Sequence, residues 1–206
     1  MSVVNKKYAI VLFSGGLDST TTLVIAKSMN FNIVALTINY NQRHIPEVDA
    51  SKHILDDYPD VKHIIFDIDL NKIGGSALTD STIDVPSESS EDIPVTYVPA
   101  RNTIFLSIAA AYAERFDIAD IFIGVNAIDY SGYPDCRPDY IKKFQELANL
   151  ANKRGREENP IKLWTPLIDL NKEDIIQLAF DNNVPLERTW SCYSGHSEPC
   201  GKCDSC

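Results

Sequence analysis

YAIVLFSGGLDSTTTLVIAKSMN, residues Tyr8 to Asn30, decides the fold class. Tyr8 to Phe13 is an apolar run with the length and β-branched character of a buried strand, and a glycine pair then imposes a tight turn. A helix is expected directly afterwards. Ser19, Thr20 and Thr21 suit an N-cap or first turn, and Leu23, Ile25, Ala26 and Met29 recur at helical spacing. Strand, glycine turn and helix in that order make an anion cradle. Gly15 and Gly16 let backbone N–H groups approach an anion without a Cβ in the way, the helix N-terminus adds partial positive charge, and Ser14 and Ser19 offer hydroxyl donors.

The turn is not a Walker A loop, because no lysine lies between Tyr8 and Lys27, and the absence of GxGxxG disfavours a dinucleotide loop. Asp18 would repel a phosphate unless a divalent cation bridged the two, so it reads as a Mg²⁺-facing residue. Ser14–Ser19, SGGLDS, resembles the SGGxDS motif of the ATP pyrophosphatases, which cleave ATP between its α and β phosphates. That resemblance implies adenylation of an oxygen on a second substrate, with release of pyrophosphate and then AMP.

The remainder of the chain limits what the second substrate can be. At 206 residues, 44% hydrophobic and 23% charged, the sequence suits one soluble globular domain with a small appendage. A net charge of −10 and a pI near 4.8 argue against broad binding to a phosphate backbone. A small molecule is therefore expected, with no nucleic acid partner. The N-terminal apolar run is too short for a signal peptide, and the mostly apolar stretch Ile104 to Ala113 is too short to span a bilayer, so no membrane partner is expected. Four of the five cysteines fall in residues 192–206, which suits a metal site in a reducing cytoplasm better than a disulfide framework.

Four further strands follow the first: Ile33–Ile38, Val61–Asp67, Ile121–Val125 and Leu163–Ile168. They alternate with helices expected at Pro46–Tyr58, Arg101–Phe116, Asp139–Gly155 and Lys172–Asn182. This order predicts a doubly wound, Rossmann-like parallel sheet of five strands with helices on both faces and right-handed crossovers. Asn39, Tyr40 and Asn41 then lie at the ligand-facing end of the second strand, followed by Gln42, Arg43 and His44. Ile68 to Pro99 is polar, with five acids and no base from Asp80 to Asp92, and reads as a lid, an interaction surface or a disordered loop.

Two segments carry the remaining chemistry. Arg101 and Asn102 open the long helix, where a cation opposes the helix dipole and so points to a local anion. Asn126–Arg137, NAIDYSGYPDCR, follows the fourth strand. Within it Asp129, Tyr130, Tyr133, Asp135 and Arg137 could hold a planar heterocycle by acceptors, stacking faces and a guanidinium. The tail, WSCYSGHSEPCGKCDSC, spaces Cys192, Cys200, Cys203 and Cys206 by seven, two and two residues. Four thiolates can close a structural tetrahedral Zn²⁺ site, and an iron–sulfur cluster would use the same ligands. Residues 1–188 are expected to form the nucleotide domain and 189–206 a metal-binding segment packed on it.

SGGLDS, YNQRH, VPARN, GVNAIDYSGYPDCR and TWSCYSGHSEPCGKCDSC in this order resemble the 7-cyano-7-deazaguanine synthase family over nearly the whole chain. Asn41 and Ala100 depart from the pattern, standing where glycine is more usual. The resemblance implies that ATP with Mg²⁺, 7-carboxy-7-deazaguanine and ammonia are consumed, that one Zn²⁺ is structural, and that the enzyme is a cytoplasmic homodimer. By the same resemblance the nucleotide lies along Leu12, Phe13, Ser14, Gly15, Gly16, Leu17, Asp18, Ser19, Thr20, Thr21 and Thr22. Ser14, Asp18, Ser19 and Arg101 are then the catalytic candidates, and Arg101, Asn102, Asp129, Tyr130, Tyr133, Asp135 and Arg137 the substrate contacts. A tRNA thiolase, a lysidine synthase and a non-catalytic nucleotide-sensing zinc module remain the alternatives.

Overall fold

Alternation along the first strand, β1 (Tyr8–Leu12), sets the layers of the fold. Its Ile10 and Leu12 point to one face, where they join Leu106 and Ala109 of α3 (Arg101–Phe116) and Phe144 and Ala148 of α4 (Pro138–Ala151). Ala9 and Val11, with Phe13, point to the other face, against Leu23 and Ala26 of α1 (Leu17–Ser28) and Ile54 and Leu55 of α2 (Ile45–Leu55). A strand buried on both faces has no polar alternation to show, which is why it reads as one apolar run. The computed structural model describes residues 7–42, 45–80, 82–85, 93–126, 132–157, 159–193, 198–203 and 206, with side chains omitted for 45–47. Arg43, His44, Asp129, Tyr130 and His196 lie outside the described residues.

The other strands are β2 (Asn32–Asn39), β3 (Lys62–Asp67), β4 (Asp120–Phe122) and β5 (Lys162–Trp164). All pair in parallel, in the order β3-β2-β1-β4-β5. Val11 lies level with both Ala35 and Phe122, so β1 is the central strand. Strand order reverses there, and the connections leaving β1 and β4 diverge to open a crevice at their carboxyl ends.

The sheet and its expected helices are present, with differences at the edges. The fourth and fifth strands end sooner than their apolar runs: beyond β4 the Ile123 N–H still donates to the Trp164 carbonyl at 3.0 Å before the chain leaves the ladder at Gly124, and Leu167 is buried in a turn. The helix expected over Asp139–Gly155 breaks at Asn152 (φ −97°, ψ 149°) into α4 and a short α5 (Lys153–Arg156). Asn149 ties this corner to the approach of β5. It donates to the Ile161 carbonyl at 2.9 Å and accepts from the Ile161 N–H at 2.7 Å. Beyond β5, α6 (Lys172–Asp181) packs against α1. In the polar segment 68–99, the described part is packed: Leu70, Ala77, Leu78 and Val98 are buried, and Leu70, Leu78 and Val98 join the core on the α3 face.

Both departures from the family pattern fall where the backbone turns left-handed, at φ 58° for Asn41 and 55° for Ala100. Asparagine tolerates this region and alanine does not. Ala100→Gly is therefore expected to raise unfolding stability by about 1 kcal/mol, and chemical denaturation of the two proteins measures the difference.

Candidate active site

The turn after β1 is braced from within. Gly15 sits at φ 84°, and a Cβ there would come within 2.6 Å of the Ser51 backbone nitrogen on α2. The Ser14 N–H donates to Ser19 Oγ at 3.2 Å, the Gly16 N–H to Ser14 Oγ at 3.3 Å, and the Ser19 hydroxyl to the Gly16 carbonyl at 3.1 Å. Gly16, not a serine or threonine, is the N-cap of α1, and no side chain caps it. Ser19, Thr20 and Thr21 lie inside the helix instead. Thr20 and Thr21 donate their hydroxyls to the carbonyls four residues earlier, both at 2.8 Å. Leu12, Phe13, Ser14, Gly16, Leu17, Asp18 and Ser19 line a cleft at the carboxyl ends of β1, β2 and β4. Thr20, Thr21 and Thr22 are fully buried and do not reach it.

Asp18 lies in the first turn of α1. It accepts from Lys172 Nζ at 3.0 and 2.8 Å through its two oxygens and from Asn126 Nδ2 at 3.1 Å. Gly124 makes room for this, since a Cβ there would lie 3.0 Å from the Asp18 carbonyl carbon and oxygen. Lys172 thus brings to the turn the cation that the turn lacks in sequence. It opens α6, a helix held by a capping box between Asn171 and Asp174. A lysine in the first turn opposes the helix dipole as Arg101 does, and that signal, applied here, would have marked it.

Arg101 and Asn102 lie in the first turn of α3 and line the same cleft. Among the described residues, the Arg101 guanidinium has no carboxylate or other hydrogen-bond acceptor. Burial works against its charge, but Tyr40, Tyr193, Cys136 and Tyr133 around it raise its pKa above the ordinary arginine value. It stays a cation. Asp135 plays a different part from the one expected of it: its buried carboxylate accepts the Asn102 N–H at 2.9 Å and so caps α3 from outside. Asn102 Nδ2 in turn donates to the Asp135 carbonyl at 3.2 Å and to Cys136 Sγ at 3.1 Å. Tyr133 lines the cleft with its hydroxyl 3.0 Å from Thr96 Oγ1 and its ring stacked 5.9 Å from that of Tyr97. Arg137 is exposed and lies outside the cleft.

The ligand atoms of Cys192, Cys200, Cys203 and Cys206 lie within 4.8 Å of one another. Four sulfurs about 2.3 Å from a common ion would sit close to 3.8 Å apart, and Cys200 and Cys206 already stand at 3.9 Å. Backbone N–H groups point at the sulfurs, from Cys200 to Cys192, from Tyr193 to Cys203 and from Cys203 to Cys200. The amides of Lys202 and Cys203 draw the Cys200 thiol down to about 6, whereas burial pushes Cys206 up to about 12. Four sulfurs so placed cannot all ionise without a cation among them. The donor set therefore fits a metal.

This tail also reaches the turn. The Trp190 N–H donates to the Gly15 carbonyl at 3.0 Å, and a Cβ on Gly16 would meet the Trp190 carbonyl at 3.2 Å. Trp190, Ser191 and Tyr193 line the cleft, none of which the sequence had singled out.

A doubly wound parallel sheet that opens a crevice at the carboxyl ends of its central strands is a recurrent α/β architecture. Solved structures share it. The NH3-dependent NAD synthetase from Campylobacter jejuni superposes with a TM-score of 0.53 at 15% identity, covering 90% of this chain and 68% of that one. The U34-tRNA thiolase NcsA from Methanococcus maripaludis, with its [4Fe-4S] cluster, gives 0.52 at 16% identity, over 96% of this chain and 62% of that one. At such identities the likeness is one of fold. Sequence relatives are far closer: proteins named 7-cyano-7-deazaguanine synthase from Prochlorococcus marinus subsp. pastoris and from Trichodesmium erythraeum. They are 63% and 53% identical over 202 and 203 residues, covering 97% and 96% of this chain and 90% and 91% of theirs. The family described as queuosine biosynthesis protein QueC matches residues 8–206, and the chain belongs to it.

Proposed function

We propose that the cleft converts 7-carboxy-7-deazaguanine and ammonia to 7-cyano-7-deazaguanine at the expense of ATP, releasing AMP and pyrophosphate. The observation that carries this reading, in a chain of the QueC family, is that Arg101, which has no anionic partner among the described residues, lines the same cleft as the SGGLDS turn. Oxide does not leave a carboxylate, whereas AMP leaves an acyl-adenylate readily. The acid oxygen attacks the α-phosphorus and expels pyrophosphate; ammonia then displaces AMP, giving the amide and a proton. A second adenylation, on the amide oxygen, lets AMP depart with loss of two protons from nitrogen, which leaves the nitrile.

Within that scheme Gly15, Gly16 and the hydroxyls of Ser14 and Ser19 hold the departing diphosphate, and Arg101 holds the substrate carboxylate. Asp18 is the residue to hold Mg²⁺, which when bound screens the phosphate charge. Lys172 is placed to meet a phosphate oxygen once Asp18 turns to the cation. Lys172→Gln is expected to raise the KM for ATP by roughly thirtyfold, the equivalent of losing about 2 kcal/mol from one charge-assisted contact, measured by initial rates at saturating acid. The four cysteines fit Zn²⁺ as a structural ion, and metal analysis together with visible absorbance separates this from an iron–sulfur cluster. A cytoplasmic homodimer is part of the same reading. Its pairing is supported by Leu147 and Leu150, which are 59% and 61% exposed on α4.

The test is to incubate the protein with ATP, ammonia and the carboxylated deazaguanine and to follow AMP and the nitrile, with tRNA as the control substrate. AMP and nitrile formation that depends on the acid is expected. ADP in place of AMP, or AMP formed with tRNA alone, overturns the reading.

A further inference from the structure

The cysteine tail does more than hold a metal beside the sheet. From Trp190 to Tyr193 it runs along the cleft. At Trp190 it is bonded to Gly15 and packed on Gly16, and the Ser191 hydroxyl would lie 3.7 Å from a Cβ on Gly16. Two residues later Tyr193 reaches the cleft wall and packs on the core cluster that contains Tyr40 and Cys136, close enough to Arg101 to act on its charge. The segment therefore leads from the diphosphate turn towards the guanidinium. Its path is held by the metal knot at both the residue before Tyr193 and its own backbone: Cys192 is a ligand, the Trp190 indole N–H donates to the Cys192 carbonyl at 3.2 Å, and the Tyr193 N–H donates to Cys203 Sγ at 3.4 Å.

Two other tyrosines, Tyr40 and Tyr133, line the same cleft near Arg101. Tyr40 is buried with its ring 5.5 Å from that of Phe105, and Tyr133 is stacked on Tyr97 with its hydroxyl near Thr96. Tyr193 is half-buried and enters the cleft from outside the helix and sheet layers. A flat ring beside an arginine matches a planar bicyclic heterocycle bearing a carboxylate: the guanidinium takes the acid and the ring takes the heterocycle face.

We propose that Tyr193 is a substrate-contacting residue that selects the planar heterocycle of the acid, held in register with Arg101 by the four-cysteine knot. This rests on the acid-adenylating function proposed above. Stacking of a base on an aromatic side chain changes affinity on the order of 10- to 100-fold.

The test uses the full-length metal-loaded enzyme and its Tyr193→Ala and Tyr193→Phe variants. Expected for Tyr193→Ala is a KM for the carboxylated deazaguanine raised about 10- to 100-fold, with the KM for ATP and the metal content unchanged. Tyr193→Phe is expected to restore the KM for the acid close to that of the parent enzyme, since the ring is kept. An unchanged KM for the acid in Tyr193→Ala overturns the inference. So does an equal rise in both KM values, because that is the mark of a displaced strap. A parent enzyme that forms AMP and nitrile while Tyr193→Ala behaves identically defeats this inference alone, whereas a parent enzyme inert with the acid defeats the functional reading beneath it.

Discussion

Asp18→Asn lowers AMP formation by about 10³-fold while leaving fold and metal content intact. The replacement keeps the size of the side chain and loses the charge. In the folded protein that carboxylate accepts from Lys172 at 2.8 and 3.0 Å and from Asn126 at 3.1 Å, and an amide oxygen can retain one of these contacts. The Asp18–Lys172 pair is partly exposed, so its loss costs stability about 1 kcal/mol or less. The catalytic cost is of another order. On the proposed role of Asp18 as the Mg²⁺ ligand, the variant loses a preorganised electrostatic contact, and removal of one such contact from an active site typically costs 10²- to 10³-fold in rate. Pyrophosphate release, metal analysis and circular dichroism on the same preparation report the three quantities. Turnover near the parent rate would remove Asp18 from the mechanism; loss of metal together with turnover would show that the substitution had acted on the fold.

Removing the metal is expected to disable the cleft at a distance from any nucleotide contact. Cys203→Ser, or chelation of the parent enzyme, takes away the ion that keeps four mutually close sulfurs compatible. The backbone from Trp190 to Tyr193 then loses its anchor, because the Tyr193 N–H is held by the Cys203 sulfur and Cys192 is one of the four clustered cysteines. The turn loses the Trp190 N–H from its Gly15 carbonyl in consequence. Turnover should fall by about tenfold or more, with a lowered melting temperature, since a ligand bound by the folded state alone stabilises by mass action. Refilling chelated enzyme with Zn²⁺ should recover both. Apo-enzyme with unaltered kinetics would show that the knot is separate from the site.

What the sequence made legible was local. The strand, glycine turn and helix of residues 8–28 could be read because each depends on neighbours in the chain. Arg101 could be found because a cation at a helix N-terminus is a local contradiction that an anion resolves. The misreadings are non-local. Asp135 reads as a ligand in a polar turn, and what its neighbours in sequence do not show is its bond to the Asn102 N–H, 33 residues earlier. Lys172, at the first turn of its helix, carries the same local contradiction as Arg101, but its partner Asp18 lies 154 positions away. Ser19, Thr20 and Thr21 suited an N-cap or first turn by composition; Ser19 and Thr20 fall in the first turn, while Gly16 takes the cap and the Thr20 and Thr21 hydroxyls turn back along the helix. The helix over Asp139–Gly155 kept its apolar period to Ala151, whereas the break at Asn152 is set by bonds to Ile161 and to Glu114.

Trp190 closes on Gly15 from far along the chain, and this has a bearing on how the protein is made. During synthesis the glycine turn emerges before its partner Trp190 is translated. A nascent chain could complete the central strand and its neighbours and still hold an unfinished site until the cysteines leave the ribosome and capture their ion. The cleft is thus closed by a segment translated after the sheet that carries it.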